Sequence, residues 1–326
     1  MAVGSPRPTP DRGRRDRDGV GARGSCVQSQ PTGRTPPLGV VAALRAPRQP
    51  TGPPTLAAIA AVGDDGAMPE GDAVRRTARR LDAALAGGTL VRAELRVPRF
   101  ATVDLRGMEV LGTHVVGKHM LTRLAGGQRA WTLHHHLRMD GTWRIGPPGR
   151  PGAPGHQIRV WLGTSDAQAV GVRVHMVEVR PTTDEQAWVG HLGPDIMADG
   201  FDALGAAQRL AAADRPFVES LLDQRLVCGM GTIWASELAA TTRAHPQSPS
   251  SEVAGLAEAL TAIRARMLRA VAAPSGASRR ELRVFERTGR PCRVCGAPIR
   301  AGRVGTPPMD RPTYWCPVCQ PSAARG

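Results

Sequence analysis

The chain has 326 residues, with 43 basic side chains against 28 acidic ones, a formal net charge of +15, and 41% hydrophobic but only 3% aromatic content. That suits two or three soluble domains with a polyanionic partner. No run of 18 apolar residues is free of charge, and the beginning lacks the basic, apolar, small-residue order of a signal peptide. A collagenous, transmembrane or wholly disordered chain is thereby excluded, and the cytoplasm is the expected compartment. All but one of the 43 basic residues are arginine. The exception, Lys118, is either a chance survivor of an Arg-biased composition or a position where only an amine serves.

Residues 1–67 hold ten prolines and ten glycines with little apolar periodicity, a composition expected to stay disordered. From Gly71 the texture changes: Val74, Ala78, Leu81, Ala84 and Leu85 recur at helical spacing until Gly87-Gly88. Between Leu90 and Val179 come short β-like stretches, among them 110–116, 131–137, 157–162 and 170–174, separated by Gly- and Pro-rich turns, which read as a β-sandwich or barrel. Leu192-Gly193-Pro194-Asp195 looks like a hinge. Helical periodicity then covers 201–213, 216–222, 232–242 and 252–272. The last forty or so residues have too little apolar material for a core of their own and need another device to hold them.

That device is legible in Cys292, Cys295, Cys316 and Cys319, two CxxC pairs separated by twenty residues. Four thiolates at this spacing suit one tetrahedral, structural Zn²⁺ with a hairpin between the knuckles, redox pairs being the alternative. Cys228 reads as buried, and Cys26 falls in the extension. Gly229-Met230-Gly231 opens onto a helix at Thr232, where exposed amides can hold a phosphate, although a tight bend alone also explains the glycines. In the strand containing His134-His135-His136, the outer two share a face. Packing or DNA-facing roles fit them better than a second metal, for which no third ligand is evident.

Immediately before the first helix stands Met68-Pro69-Glu70-Gly71-Asp72. This resembles the opening of the formamidopyrimidine-DNA glycosylase and endonuclease VIII family, whose mature chains begin Pro-Glu. The resemblance runs over residues 68–320. It takes in Val116-Gly117-Lys118-His119, His136-Leu137-Arg138-Met139-Asp140-Gly141, the Gly193-Pro194-Asp195 hinge, and Leu221-Leu222-Asp223-Gln224 leading to Gly229-Met230-Gly231 and Glu237. It closes with Asp310-Arg311-Pro312-Thr313-Tyr314-Trp315-Cys316. The Pro-Glu-Gly opening, the hairpin motif and Arg138 look more like endonuclease VIII, which removes oxidised pyrimidines. Three positions depart from the family pattern: Ala73 replaces a common glutamate, Thr232 replaces the usual asparagine, and the hairpin is long at 305–309.

The resemblance implies an α+β multidomain fold: an N-terminal helix plus β-sandwich over 68–190, a helix-two-turn-helix domain over 191–285 and a C-terminal four-cysteine zinc-finger β-hairpin over 286–326, after an extension over 1–67. It implies a glycosylase and abasic-site lyase of base excision repair, acting as a monomer on damaged DNA in the cytoplasm with no membrane partner. Pro69 would be the nucleophile and Glu70 the acid/base, with Lys118 holding a phosphate or assisting base departure. Arg138 and Met139 would fill the gap left by the flipped base, and Gly229, Gly231, Thr232 and Arg311 would grip the backbone. Proline is also an ordinary residue at a helix start. A chain still attached at Met68 would leave Pro69 as an amide without a nucleophilic lone pair. Translation from Met68 or removal of the extension is therefore expected, and a non-catalytic DNA-binding protein is the alternative if Pro69 stays blocked. An oxidised-purine substrate is a third reading.

Overall fold

The computed structural model describes residues 69–273 and 282–322; the expected extension, Cys26 and Met68 lie outside them. Helix α1 (Gly71–Leu85) presents Val74, Ala78, Leu81 and Leu85 on one buried face, with Asp72 in its first turn where the helix dipole favours an acid. It ends when the Ala86 amide turns back to the Asp82 carbonyl.

Eight strands follow: β1 (Arg92–Leu95), β2 (Glu109–Val116), β3 (His119–Gly126), β4 (Arg129–His136), β5 (Thr142–Gly146), β6 (Ile158–Gly163), β7 (Gln168–Val172) and β8 (Met176–Pro181). They form two antiparallel four-stranded sheets, in the orders β2-β3-β4-β8 and β1-β6-β7-β5. Met120, Leu124 and Leu133 from one sheet meet Val160, Leu162 and Ala169 from the other, together with the apolar face of α1. Truncating any of these leucines to alanine would cost about 2–5 kcal/mol.

The sheet that carries β3 and β4 is covered on its outer face as well, so Leu121 and His134 are buried where simple alternation would expose them. The cover is α2 (Gln186–Val189) with the turn before it. Trp188 stacks on His134 at 4.7 Å, and Glu185 accepts two bonds from Arg123, at 2.9 and 2.7 Å, and one from the Thr132 hydroxyl.

Beyond the hinge lie α3 (Ala203–Ala213), α4 (Phe217–Leu222), α5 (Thr232–Thr242) and α6 (Leu256–Ala272). Helix α3 begins two residues later than periodicity predicts, because the Asp202 carboxylate caps the Gly205 amide at 2.9 Å. The predicted 252–272 helix divides into a single turn at Ser250–Glu252 and α6, since Gly255 takes a left-handed φ of 64°. Helix α5 is buried almost all round, which marks it as the central helix of this layer.

The C-terminal hairpin of β9 (Arg300–Val304) and β10 (Arg311–Trp315) packs against α5. Glu237, fully buried on α5, accepts from the amides of Arg283 (2.9 Å), Val284 (2.9 Å) and Phe285 (3.3 Å) and pairs with Arg266 at 2.9 Å. Gln320 ties the hairpin's other end to the Ala244 carbonyl at 2.8 Å. Among the described residues, no helix is long and apolar enough to cross a membrane.

Candidate active site

The backbone before α1 is extended at Glu70, but the Glu70 side chain does not cap α1. Its carboxylate crosses instead to the first turn of α5 and accepts from the amides of Gly231 (3.1 Å), Ile233 (2.7 Å) and Trp234 (3.4 Å). The Gly71 amide donates to the Gly229 carbonyl at 3.0 Å. A Cβ on Gly71 would fall 2.5 Å from that oxygen, so only glycine allows the two segments to meet. Asp72 completes the seam by accepting the Trp234 indole N–H at 3.0 Å. Pro69 is thereby buried at the junction of the sandwich and the helical layer.

Lys118 sits at the tip of the β2–β3 hairpin beside Gly117, whose φ of 60° is left-handed. Asp195 holds that tip in place. It accepts from the Gly117 amide and the Arg75 guanidinium, both at 2.8 Å, and from the Met197 amide at 2.8 Å, thus joining hairpin, α1 and hinge. A Cβ on Gly117 would press on Cys228 at 3.1 Å. The Glu70 carboxyl carbon and Lys118 Nζ both approach the point a Gly231 Cβ would occupy, at 2.6 and 2.8 Å. Acid and amine therefore share one small space over a glycine.

Glu70 is only 2% exposed, and burial pushes its carboxyl up from 4.5 to about 7 against the opposing pull of the Lys118 charge and the α5 amides. Burial also lowers Lys118, with the Arg311 charge acting in the same direction and Glu70 in the opposite one. A carboxyl poised near neutrality beside an amine of reduced basicity can both give and take a proton at physiological pH.

The sequence-derived candidates thus fall into three places. Pro69, Glu70, Lys118, Gly229, Gly231 and Thr232 meet in one seam, while Arg311 stands at the start of β10 with its guanidinium on the Met309 and Asp310 carbonyls, at 2.9 and 3.1 Å. Arg138, at a left-handed φ of 54°, and Met139, 62% exposed, form the tight β4–β5 turn. The four cysteines converge in the C-terminal hairpin. One expectation needs correction: the amides of Gly229 and Gly231 are not open to a ligand. The Gly229 amide is bonded to Gln224 Oε1 at 3.0 Å, and the Gly231 amide holds the Glu70 carboxylate at 3.1 Å. Asp195 and Glu237 stand in the quoted motifs, but their holding roles depend on partners that no spacing rule reveals.

All four cysteine sulfurs lie within 4.8 Å of one another, with Cys295–Cys316 at 3.4 Å and Cys292–Cys319 at 4.0 Å. A tetrahedral zinc with sulfur at about 2.3 Å requires sulfurs about 3.8 Å apart, so this set fits a metal ion. The amides of Val294 and Cys319 point at Cys292 and Cys316 sulfurs, both at 3.4 Å, as knuckle turns demand. Among the described residues this is the only cluster that brings three or more metal-ligating atoms together.

Residues 68–182 match the family model for the formamidopyrimidine-DNA glycosylase N-terminal domain. The chain is 44% identical over 266 residues to "Probable endonuclease 8 2" of Streptomyces coelicolor, covering 79% of this chain and 95% of that one. It is 41% identical over 263 residues to "DNA-(apurinic or apyrimidinic site) lyase Nei2" of Mycolicibacterium smegmatis, covering 78% and 99%. The crystal structure of Lactococcus lactis formamidopyrimidine-DNA glycosylase, bound non-covalently to DNA containing an abasic site, superposes with a TM-score of 0.69 at 25% identity, over 78% of this chain and 100% of that one.

Proposed function

The chain belongs to the formamidopyrimidine-DNA glycosylase and endonuclease VIII family, on the endonuclease VIII side, and is a DNA glycosylase and abasic-site lyase of base excision repair; we propose that it excises oxidised pyrimidines through a Schiff base on Pro69. The observation that carries the proposal is the buried Glu70 carboxyl, next in sequence to Pro69, beside Lys118 and poised at about 7.

A free proline nitrogen is a secondary amine with an α-amino pKa of about 7.7–8.0, so a useful fraction is neutral at physiological pH. Its lone pair attacks C1′, the damaged base leaves with its bonding electrons and takes up a proton, and Glu70 protonates the ring oxygen as the sugar opens. The resulting iminium withdraws electrons and acidifies C2′. Loss of a C2′ proton expels the 3′ phosphate, and a second elimination expels the 5′ phosphate. Lys118 steadies a phosphate or the departing base, Arg311 grips the backbone, and Arg138 and Met139 enter the gap in the stack. Gly231 serves the same strand indirectly, by donating its amide to Glu70, while Gly229 holds the Gly71 amide and the Thr232 hydroxyl reaches a phosphate.

Cys292, Cys295, Cys316 and Cys319 would hold one structural Zn²⁺, which would cross-link the hairpin and supply no reacting group. The division 68–190, 191–285 and 286–326 describes catalytic, helical and finger parts of a monomer working on cytoplasmic, nucleoid DNA.

Borohydride trapping tests the proposal. A chain beginning at Pro69 forms a covalent adduct with 5-hydroxyuracil or abasic DNA, whereas the chain beginning at Met1, or one with an acetylated Pro69, does not. Equal trapping by the free and acetylated forms overturns the Schiff-base role.

A further inference from the structure

Next to Lys118, the outer face of the β2-β3-β4-β8 sheet carries His119, His134 and His136, with His191 beside them from the turn after α2, and the mechanism above leaves all four imidazoles unused. His119, half-buried, has its Nδ1 2.9 Å from His134 Nε2, and its ring meets those of His136 at 5.1 Å and His191 at 6.5 Å, both edge-on. His134 is buried and lies flat against Trp188. Lys118, Arg138 and Arg180 surround the group with positive charge. Burial, reinforced by these cations and the neighbouring rings, pushes His119 down to about 4 and both His134 and His136 to about 3, so all three are neutral at physiological pH.

The hydrogen-bond pattern then selects the tautomers. His134 Nδ1 is buried without a partner. A bare lone pair there costs less than an orphaned N–H, so the proton of His134 belongs on Nε2, where it is donated to His119 Nδ1. His119 consequently carries its own proton on Nε2. His136 behaves alike, since its Nδ1 accepts the Arg138 amide at 2.9 Å. Metal ligation is not what this arrangement offers, because these nitrogens do not converge as the four sulfurs do.

We propose that His119 is a phosphate-binding donor for the damaged strand, kept in its donor tautomer by His134, which is a positioning residue that never meets DNA. The inference rests on the DNA-repair reading above. It adds a hydrogen bond beside Lys118 that supplies no charge, and a neutral donor leaves a distinct signature: it strengthens binding without releasing a counterion.

The test uses the protein that begins at Pro69 and a duplex containing a tetrahydrofuran abasic analogue, titrated over a range of salt. His119→Ala weakens binding by about tenfold at every salt concentration, leaving the slope of log K against log salt unchanged. His119→Gln, whose amide nitrogen occupies the Nε2 place, restores most of the affinity, while His119→Asn does not. His134→Phe keeps the stack on Trp188 but removes the donor, and it reproduces most of the His119→Ala loss. The double variant binds no more weakly than His119→Ala alone. Binding by His119→Ala within about twofold of wild type overturns the contact, as the loss expected for a hydrogen bond to a charged group is larger. Additive losses in the double variant overturn the His134 relay, and a slope reduced by about one overturns the neutral tautomer. Trapping by the wild-type protein separates these failures from failure of the repair reading itself.

Discussion

Replacing Glu70 with glutamine should make the protein's stability less dependent on pH, and the size of the effect follows from where the carboxyl sits. Burial raises its native pKa from 4.5 to about 7, so the folded chain binds more protons than the unfolded chain between those values. The stability this group contributes is therefore complete below about pH 4.5 and is lost as pH rises through about 7. At about 1.4 kcal/mol per pH unit, the wild-type chain gives up about 3 kcal/mol across that window. Glutamine cannot ionise and escapes this loss. It keeps one acceptor for the amides of Gly231, Ile233 and Trp234 but turns an N–H toward the other, a pH-independent cost of about 1–2 kcal/mol. The two stability curves should therefore cross: Glu70→Gln is the weaker protein at pH 4 and the stronger at pH 8. Urea unfolding at half-unit intervals from pH 4 to 8.5 measures this directly, and single-turnover excision by the variant should fall about 10²–10⁴-fold. Parallel curves, with a constant difference across the window, would refute the claim that burial at the α5 terminus tunes this acid.

Outcomes are also expected for four further variants. Gly231→Ala places a Cβ 2.6 Å from the Glu70 carboxyl and 2.8 Å from Lys118 Nζ, so both must move; excision should fall by at least about 10²-fold while circular dichroism stays near wild type. Arg311→Ala should reduce the slope of log K against log salt by about one, in contrast to His119→Ala, whereas Lys118→Ala should slow base excision more than cleavage at a preformed abasic site, equal losses on the two substrates contradicting that division. Cys316→Ser should lose metal and DNA affinity together while the sandwich and α3–α6 retain their own cores, and a metal assay of freshly purified wild type should give about one zinc per chain.

Local rules carried much of the architecture. Helix α1 follows from the spacing of Val74, Ala78, Leu81 and Leu85, and α5 lies where the period after Gly231 places it. The cysteine cluster is explicit in two CxxC pairs, because a knuckle turn brings thiols three residues apart together whatever the rest of the chain does. Alternation in β4 put His134 and His136 on one face and His135 on the other, and His135 does point inward, against Trp143. Such features are decided by neighbours within one turn or one strand, and the order and spacing of residues are enough to read them.

Tertiary structure decided everything that depends on distant partners. Glu70 and the α5 amides are more than 160 residues apart, and no periodicity foretells that a carboxylate preceding one helix will cap another. From sequence the glycine turn suited either an anion site or a tight bend, and in the fold the protein's own Glu70 takes the Gly231 amide. Asp195 became the joint between hairpin, α1 and hinge, and Glu237 the anchor of the 283–285 segment, through contacts set by how the layers stack. His134 belongs to a face that alternation assigns to solvent; only the fold-back of Trp188 buries it. The sequence determines which groups are present and which local elements carry them, whereas burial and charge proximity, and so the tuning of Glu70, Lys118 and the histidines, arise only when surfaces remote in the chain exclude water together.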